Sequence, residues 1–102
     1  MKPETRIVKA IQRWFLFADL DAYNMLKLHG NVFQRSGEPD LIGGVRVGSK
    51  VVHFAVEVKL PGRSADPVQL ERLRRWEAVG FVTGVVTSVE DFVFLITTAL
   101  ED

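Results

Sequence analysis

Two acidic residues and a lysine occur in segments whose other residues predict hydrophobic strands. Asp40 lies in SGEPDLIGG, and Glu57 and Lys59 lie two positions apart in AVEVK. Because side chains alternate along a strand, Glu57 and Lys59 point to the same face, about 7 Å apart. An ionised carboxylate in or beside a core is costly unless it is paired or binds a metal. The three residues therefore form one candidate site.

Their chemistry favours a magnesium or manganese site. Mg²⁺ and Mn²⁺ prefer hard oxygen ligands, which Asp40 and Glu57 offer, and the main-chain carbonyl of Val58 could supply a third. The chain has no cysteine and its two histidines are not spaced as zinc ligands, so a zinc site is not favoured. A divalent metal lowers the pKa of water that it binds and polarises a phosphoryl oxygen, while Lys59 can position or deprotonate that water. This combination predicts hydrolysis of a phosphodiester.

A β-hairpin must bring Asp40 to Glu57. Glycine at the first position of Gly48-Ser49 suits a two-residue type II′ turn, which pairs Val47 with Lys50 and sets Asp40 opposite Glu57. The same count gathers a core face on the other side, made of Leu41, Val45, Val52, Phe54 and Val56, and it adds Arg46 and His53 to the acidic face. A bulge at Gly43-Gly44 would break this register.

The remaining segments predict an α-β-β-β-α-β-α order. Apolar residues at helical spacing favour a first helix from Pro3 to a point between Asp19 and Tyr23. Asp66 and Pro67 are typical of a second helix start, and Gly80 of its end. Ser88 and Asp91 resemble a third helix start, although FVFLITT has the β-branched content of a strand. The strands fall in MLKLHG, DLIGGVRV, VVHFAVEVK and FVTGVVT. The fold class is α/β, a mixed sheet flanked by helices.

Composition sets the frame for this fold. The 102 residues suffice for a single domain, 1–102, and the 13 basic and 13 acidic residues give no bulk basic signature for nucleic acid. No segment has the length and apolarity of a membrane span, and the N-terminus lacks the pattern of a signal peptide. We therefore expect a cytoplasmic protein without a membrane partner.

Three motifs together resemble a known nuclease superfamily. GEPD, then EVK with its glutamate seventeen residues after Asp40, then Gln69 at a helix start are similar to the PD-(D/E)XK nucleases. The longer string FQRSGEPDLIGG…FAVEVKLPGRSADPVQLERLRRWEAVG resembles the VRR-NUC branch, particularly its small stand-alone phage forms. The resemblance implies a metal-dependent endonuclease with a restriction-endonuclease-like α/β fold. For a phage-encoded member, the compartment would be the host cytoplasm.

The resemblance also implies a role for each matching residue. Asp40 and Glu57 correspond to the metal-binding acids, Lys59 to the catalytic lysine, and Gln69 to a glutamine that orders the active-site water or lysine. The family often adds a glutamate from the first helix, where Glu4 is the only one. Gln69 also has a purely structural interpretation, because three residues after an N-cap it could complete a capping box.

Stand-alone members of the family are similar to homodimeric Holliday-junction resolvases, so we expect a homodimer that cuts branched DNA such as a four-way junction. A flap, nicking or restriction-type nuclease, a branched-DNA-binding module that does not cut, and a metal-free scaffold remain alternatives. The candidate phosphate contacts are Lys27, His29, Arg35 and Arg63. Arg72, Arg74 and Arg75 predict a solvated helix face.

Overall fold

The computed structural model of the protein describes residues 2–28 and 37–102. Three helices and four strands follow one another in the predicted order. Their bounds are α1 Pro3–Phe17, β1 Ala22–Lys27, β2 Leu41–Val47, β3 Lys50–Val58, α2 Pro67–Ala78, β4 Val82–Val86 and α3 Val89–Glu101. None of the helices in this part of the chain combines the length and the apolarity needed to cross a membrane.

The four strands form one mixed sheet in the order β1-β2-β3-β4. The pairs β1–β2 and β2–β3 are antiparallel, and β4 runs parallel to β3. A parallel pair cannot be joined by a tight turn, so α2 serves as the crossover between β3 and β4. The predicted α/β class, a mixed sheet flanked by helices, is confirmed.

The β2–β3 hairpin has the predicted register. Pairing runs without interruption from Val47↔Lys50 to Leu41↔Val56, and no bulge occurs at the two glycines of β2. Gly48 has a φ of 60°, and no described residue other than glycine has a positive φ. A type I′ turn would need a positive φ at Ser49 as well, so the turn is type II′. Continuing the same ladder by one residue sets Asp40 opposite Glu57.

Gly43 allows β2 to lie close to β1 and to the Phe54 side chain of β3. A Cβ atom at this position would collide with the backbone carbonyl of Asn24, and it would lie 2.9 Å from both Met25 Cα and the ring of Phe54. Real Cβ atoms essentially never lie this close to backbone atoms, so any other residue here would push β1 and β2 apart. The glycine therefore keeps β1, β2 and β3 in close contact.

One face of the sheet carries the hydrophobic core, beneath α1 and α3. Phe15, Phe54 and Phe92 meet there, with the Phe54 and Phe92 rings 5.1 Å apart in a T-shaped arrangement. The other fully buried side chains of this cluster include Ile11, Leu41, Val56 and Ile96. Burial of each such side chain contributes roughly 1.5–3 kcal/mol relative to exposure. The predicted core face of the hairpin is thus confirmed.

Two boundaries near the N-terminus differ from the sequence-based prediction. Helix α1 ends at Phe17, before the predicted range of Asp19 to Tyr23, and β1 begins at Ala22 rather than at Met25. Tyr23 pairs with Val45 and stacks on Phe15 at 4.7 Å. This long-range packing draws the segment into the sheet. The end of the predicted strand, His29 and Gly30, lies outside the described residues.

Helix α1 is antiparallel to β1. Its C-terminus is joined to β1 by a short connection in which the Asp21 N–H donates to the Arg46 carbonyl at 2.9 Å, beside the hairpin turn. Because β1 starts at the hairpin end of the sheet, the N-terminus of α1 lies toward the opposite end. Glu57, near the end of β3, is at that opposite end.

Helix α2 lies on the second face of the sheet, over β3 and β4. It has the predicted N-cap Asp66, and it is followed by Gly80, whose φ of 101° suits only glycine. Over β1 and β2 this face carries a groove of about 650 Å³ that includes Leu26, Ile42 and His53 in its lining. The face that carries Glu57 is therefore covered by a helix on one side and open on the other.

Candidate active site

The carboxylate of Asp40 is fixed to the strand that carries Glu57. Asp40 immediately precedes β2, and its carbonyl accepts a hydrogen bond from the Leu28 N–H at 2.8 Å. Its Oδ2 accepts the N–H of Val58 at 2.8 Å. The N–H of the next residue, Lys59, donates to the Val86 carbonyl of β4 at 3.0 Å. A side chain thus takes the place of a backbone acceptor at the end of the β2–β3 ladder.

This bond also orients the carbonyl of Val58. In a sheet, the N–H and C=O of one residue point to the same neighbouring strand, and those of the next residue point the other way. Since the Val58 N–H is directed at Asp40 and the Lys59 N–H at β4, the Val58 carbonyl lies on the Asp40 side of β3. The structure therefore groups the oxygen atoms that the sequence analysis proposed as ligands.

Glu57 is almost fully buried, with 3% of its surface exposed. Its Oε1 accepts a hydrogen bond from Gln69 Nε2 at 3.1 Å. Its Oε2 is buried and has no hydrogen-bond partner among the described residues. A buried carboxylate oxygen without a partner is costly, and such groups in native proteins commonly mark a missing ion or a functional role.

The pKa of Glu57 is raised from its usual 4.5 to about 9, and burial, which penalises the charged form, is the largest cause. The adjoining Asp40 carboxyl contributes to this rise, as does Asp66 more weakly, whereas the positive charge of Lys59 opposes it. The raised pKa means that Glu57 favours its protonated form at neutral pH.

Gln69 combines the two roles that the sequence left open. Its backbone N–H donates to Asp66 Oδ1 at 2.9 Å, and its Oε1 accepts the Asp66 N–H at 2.9 Å, which completes a capping box. Because the Asp66 N–H can only donate, it holds Oε1 toward the cap and leaves Nε2 directed at Glu57. The helix cap thereby fixes the orientation of a side chain that contacts the acidic pair.

Lys59 is the first residue after β3 and is partly buried. Alternation along the strand directs its side chain to the same face as Glu57, and its charge acts on the Glu57 carboxyl. The structure therefore gathers Asp40, Glu57, Lys59 and Gln69, whereas their catalytic and metal-binding roles stay predictions.

Other predicted residues have different outcomes. Glu4 is exposed on α1, and the described ranges contain no group of three acidic, histidine or cysteine side chains placed to hold a metal. Lys27 pairs with Leu41, so it points to the face opposite Glu57. Arg63 is exposed in the loop after β3, where its N–H donates to the Leu60 carbonyl. His29 and Arg35 lie outside the described residues.

Sequence reasoning missed an ion pair that docks the GEPD turn on α2. Arg72 was grouped with the solvated arginines of α2, but its side chain is 19% exposed and its Nε lies 3.7 Å from Glu38 Oε1. Gly37 has a φ of 80°, and a Cβ there would lie 2.6 Å from Val68 Cγ1 and 3.3 Å from the Gln69 nitrogen. The turn before Asp40 therefore packs directly on the first turn of α2.

The signal for this pair was present but ambiguous. Glu38 lies inside the motif, and Arg72 follows Gln69 by three positions, on a neighbouring part of the helix surface. By contrast, Arg74 and Arg75 pair with Glu71 at exposed positions, as a solvated helix face predicts. Only the docking of the turn distinguishes Arg72 from its neighbours.

The site fits a hard divalent cation. It offers two adjoining carboxylates and a main-chain carbonyl, all of them oxygen donors, and one carboxylate oxygen is buried without a partner. A cation beside Glu57 would satisfy Oε2 and favour the ionised form of Glu57. Nitrogen or sulfur ligands suited to zinc are not part of this arrangement.

Comparison with known proteins agrees with this geometry. The sequence matches no protein-family model and no curated protein. The structure resembles a solved structure described as a VRR_NUC domain, with 28% identity, a TM-score of 0.71, and coverage of 95% of this chain and 97% of that one. A second, described as a VRR_NUC domain protein, is 17% identical with a TM-score of 0.72, covering 99% of this chain and 90% of that one.

The mixed sheet and its flanking helices thus define a restriction-endonuclease-like α/β fold, the class found in nucleases. The chain is similar over nearly its whole length to solved VRR_NUC domains, in agreement with the resemblance of its motifs.

The raised pKa of Glu57 predicts how stability depends on pH. Between about pH 4.5 and 9 the folded protein binds a proton that the unfolded chain releases, so this contribution to stability decreases as pH rises through the window. In Glu57→Gln the position is always neutral. At pH 8, in chelator, we expect this variant to be more stable than the wild type, with a free energy of unfolding about 1–3 kcal/mol higher.

Thermal melts from pH 5.5 to 8.5 test this, with Glu101→Gln at an exposed position as the control. The wild-type melting temperature should fall across the range, and the Glu57→Gln profile should be flatter. Parallel profiles for wild type and Glu57→Gln would show that Glu57 is ionised in the folded protein.

The Glu38–Arg72 pair predicts an energetic link between the GEPD turn and α2. A double-mutant cycle with Glu38→Gln and Arg72→Gln should give a coupling free energy of about 0.5–1.5 kcal/mol, because the pair is largely shielded from water. Urea unfolding of the four proteins measures it. The cycle for the exposed pair Glu71 and Arg74 is the control and should give less than about 0.5 kcal/mol. Equal couplings would contradict the docking.

Proposed function

We propose that this protein is a metal-dependent, structure-specific DNA endonuclease that hydrolyses phosphodiester bonds, and that it acts as a homodimer on four-way junctions. The nuclease-family fold is the established part of this statement. The observation that carries the metal dependence is the buried Glu57 Oε2, which has no partner among the described residues and adjoins the Asp40 carboxyl. An uncompensated acidic pair of this kind is suited to a cation.

Asp40, Glu57 and the Val58 carbonyl would hold Mg²⁺ or Mn²⁺, with Glu4 as a further candidate ligand. When bound, the cation would polarise a phosphoryl oxygen and make water more acidic. Gln69 would contribute by occupying Oε1 of Glu57, which leaves Oε2 as the oxygen available for the cation. The capping box holds Gln69 in this orientation, so the arrangement needs no rearrangement of α2.

Lys59 would act on the phosphate and on the attacking water. Its ammonium group lies on the Glu57 face, where it can donate to a non-bridging oxygen and stabilise the charge that develops in the transition state. As the water forms its bond to phosphorus, it loses a proton to solvent, and the bond to the leaving sugar oxygen breaks while that oxygen takes up a proton from solvent. Removing Lys59 should therefore slow the reaction without abolishing cation binding.

The homodimer and the junction are proposals about substrate shape. A four-way junction has approximate two-fold symmetry, and a C2 dimer would present two active sites to it. Contacts of DNA-binding proteins with phosphates carry no sequence information and weaken with salt. With a net charge of zero, the protein would rely on a local basic surface, so junction binding should depend strongly on salt.

Cleavage of labelled DNA tests the proposal. A synthetic four-way junction, a flap and a linear duplex are incubated with the protein in Mg²⁺, in Mn²⁺ and in chelator. We expect paired cuts in the junction that require the metal, and a loss of about 10²–10⁴-fold in rate for Lys59→Ala. Lys50→Ala changes a lysine at the opposite end of the same strand and should cleave at the wild-type rate.

Other outcomes separate the alternatives. Metal-dependent cutting of the flap or the duplex in place of the junction would retain the active site and replace the substrate. Junction binding without cleavage under any metal condition would indicate a recognition module and contradict the catalytic proposal. Failure to bind both DNA and divalent cations would favour a scaffold.

A further inference from the structure

The outward face of α1 carries charge of one sign. Its basic residues recur at intervals of four, three and four positions, which places them in one stripe, and all are exposed. They are Lys2, Arg6, Lys9 and Arg13. The buried residues Val8, Ile11 and Phe15 lie on the opposite side of the helix. Residues 2–17 hold four basic residues against one acidic, a net charge of +3 in a chain whose total is zero.

These charges are not neutralised within the part of the chain that the structure describes. None of the four side chains has an ion pair or hydrogen bond there, whereas Arg46, Arg72, Arg74 and Arg75 all pair with acidic side chains. The arginines of α2 differ, because Arg74 and Arg75 both pair with Glu71. The stripe on α1 is therefore a concentrated positive surface, whereas α2 presents mixed charge.

The stripe lies on the core side of the sheet, across from the face that carries Glu57, and runs lengthwise from the hairpin end of the sheet to the end that holds Glu57. Because the N-terminus of α1 lies at the Glu57 end of the sheet, Lys2 and Arg6 are on that side and Arg13 lies nearer the hairpin turn. The four residues span about 16 Å at 1.5 Å per residue. This length corresponds to roughly five base pairs of duplex DNA at 3.4 Å each.

A groove beside the stripe adds polar and aromatic contacts. It has a volume of about 440 Å³, and its lining includes Lys9, Gln12, Arg13 and Tyr23. Cationic, amide and aromatic side chains are those that bind the phosphates and sugars of nucleic acids. The stripe and the groove thus form one continuous surface on α1 and β1.

We propose that this surface binds the phosphate backbone of a duplex arm that flanks the cleaved bond. The inference rests on the proposed nuclease function, and it assigns a substrate contact to residues outside the active site. An anionic membrane is the competing partner for a basic helix, but a membrane-bound amphipathic helix inserts its apolar face. The apolar face made of Val8, Ile11 and Phe15 is buried against the sheet and α3, and the exposed apolar residues of α1, Leu16 and Phe17, are confined to its C-terminal end, which favours DNA.

Binding and cleavage by a triple variant test this surface. Arg6→Gln, Lys9→Gln and Arg13→Gln are combined, since glutamine is a good helix former and exposed sites tolerate it. The control combines Lys50→Gln, Arg74→Gln and Arg75→Gln, which removes the same charge from other exposed positions. Fluorescence anisotropy in chelator, over a range of salt, gives the affinity for a four-way junction and for its isolated arm.

The α1 variant should bind at least about tenfold more weakly than the control, and its plot of log affinity against log salt should be less steep by about 2–3. Its single-turnover cleavage rate at saturating DNA should match that of the wild type, because the active site is unchanged. Equal weakening of the two triple variants would overturn the inference, as would binding of the wild type to anionic vesicles but not to DNA.

The outcomes also separate this inference from the proposed function. If binding depends on the stripe but no metal supports cleavage, the catalytic proposal fails and the α1 surface stands. If the wild type cleaves DNA and the α1 variant binds with the affinity of the control, the nuclease stands and the α1 surface fails.

Discussion

A buried carboxyl group that its surroundings leave unsatisfied is the constraint on which the site depends. Glu57 has one oxygen held by Gln69 and a second oxygen that lacks a partner in the described structure. Desolvation penalises its ionised form, and the adjoining Asp40 adds to that penalty. A protein could avoid this cost with an apolar residue at position 57. The cost is understandable if the pair exists to bind a cation.

The rest of the fold can be understood as the support for that pair. The hairpin sets Asp40 opposite Glu57, and the Val58 N–H anchors the Asp40 carboxylate. The capping box orients Gln69, so the same hydrogen bonds that stabilise the start of α2 also direct the Gln69 amide N–H to Glu57. Packing of Gly37 against α2 then joins the Asp40 turn to the same helix. The Asp40 turn, the end of β3 and the start of α2 are thus joined at the site, by hydrogen bonds of 2.8 Å from Val58 to Asp40 and 3.1 Å from Gln69 to Glu57.

Much of this could be predicted because local and long-range signals agreed. Gly48 fixes the turn, and a one-residue slip of the hairpin would expose its apolar face, so the register followed from the sequence. Asp66, Pro67 and Gln69 marked the start of α2 through their own capping chemistry. For α3, the Ser88 cap and the burial of Phe92 and Ile96 outweigh the β-branched residues that favoured a strand.

The features that could not be predicted depend on tertiary contacts. The start of β1 is set by the packing of Tyr23 on Phe15. The face of the sheet to which Lys27 points is set by the pairing of β1 with β2, in which Lys27 lies opposite Leu41. The shielding of Arg72 arises only when the GEPD turn docks on α2, and helical periodicity makes it equivalent to the exposed arginines. Local sequence carries no information about such partners.

Proton release on cation binding tests the central claim most directly. Calorimetric titration of the wild type with Mg²⁺ or Mn²⁺ at pH 7, in buffers of different ionisation enthalpy, counts the protons displaced. The account predicts that nearly one proton leaves per cation bound, and that Glu57→Gln releases none and binds more weakly. Binding of equal affinity in both proteins, without proton release, would contradict a cation site at Asp40 and Glu57.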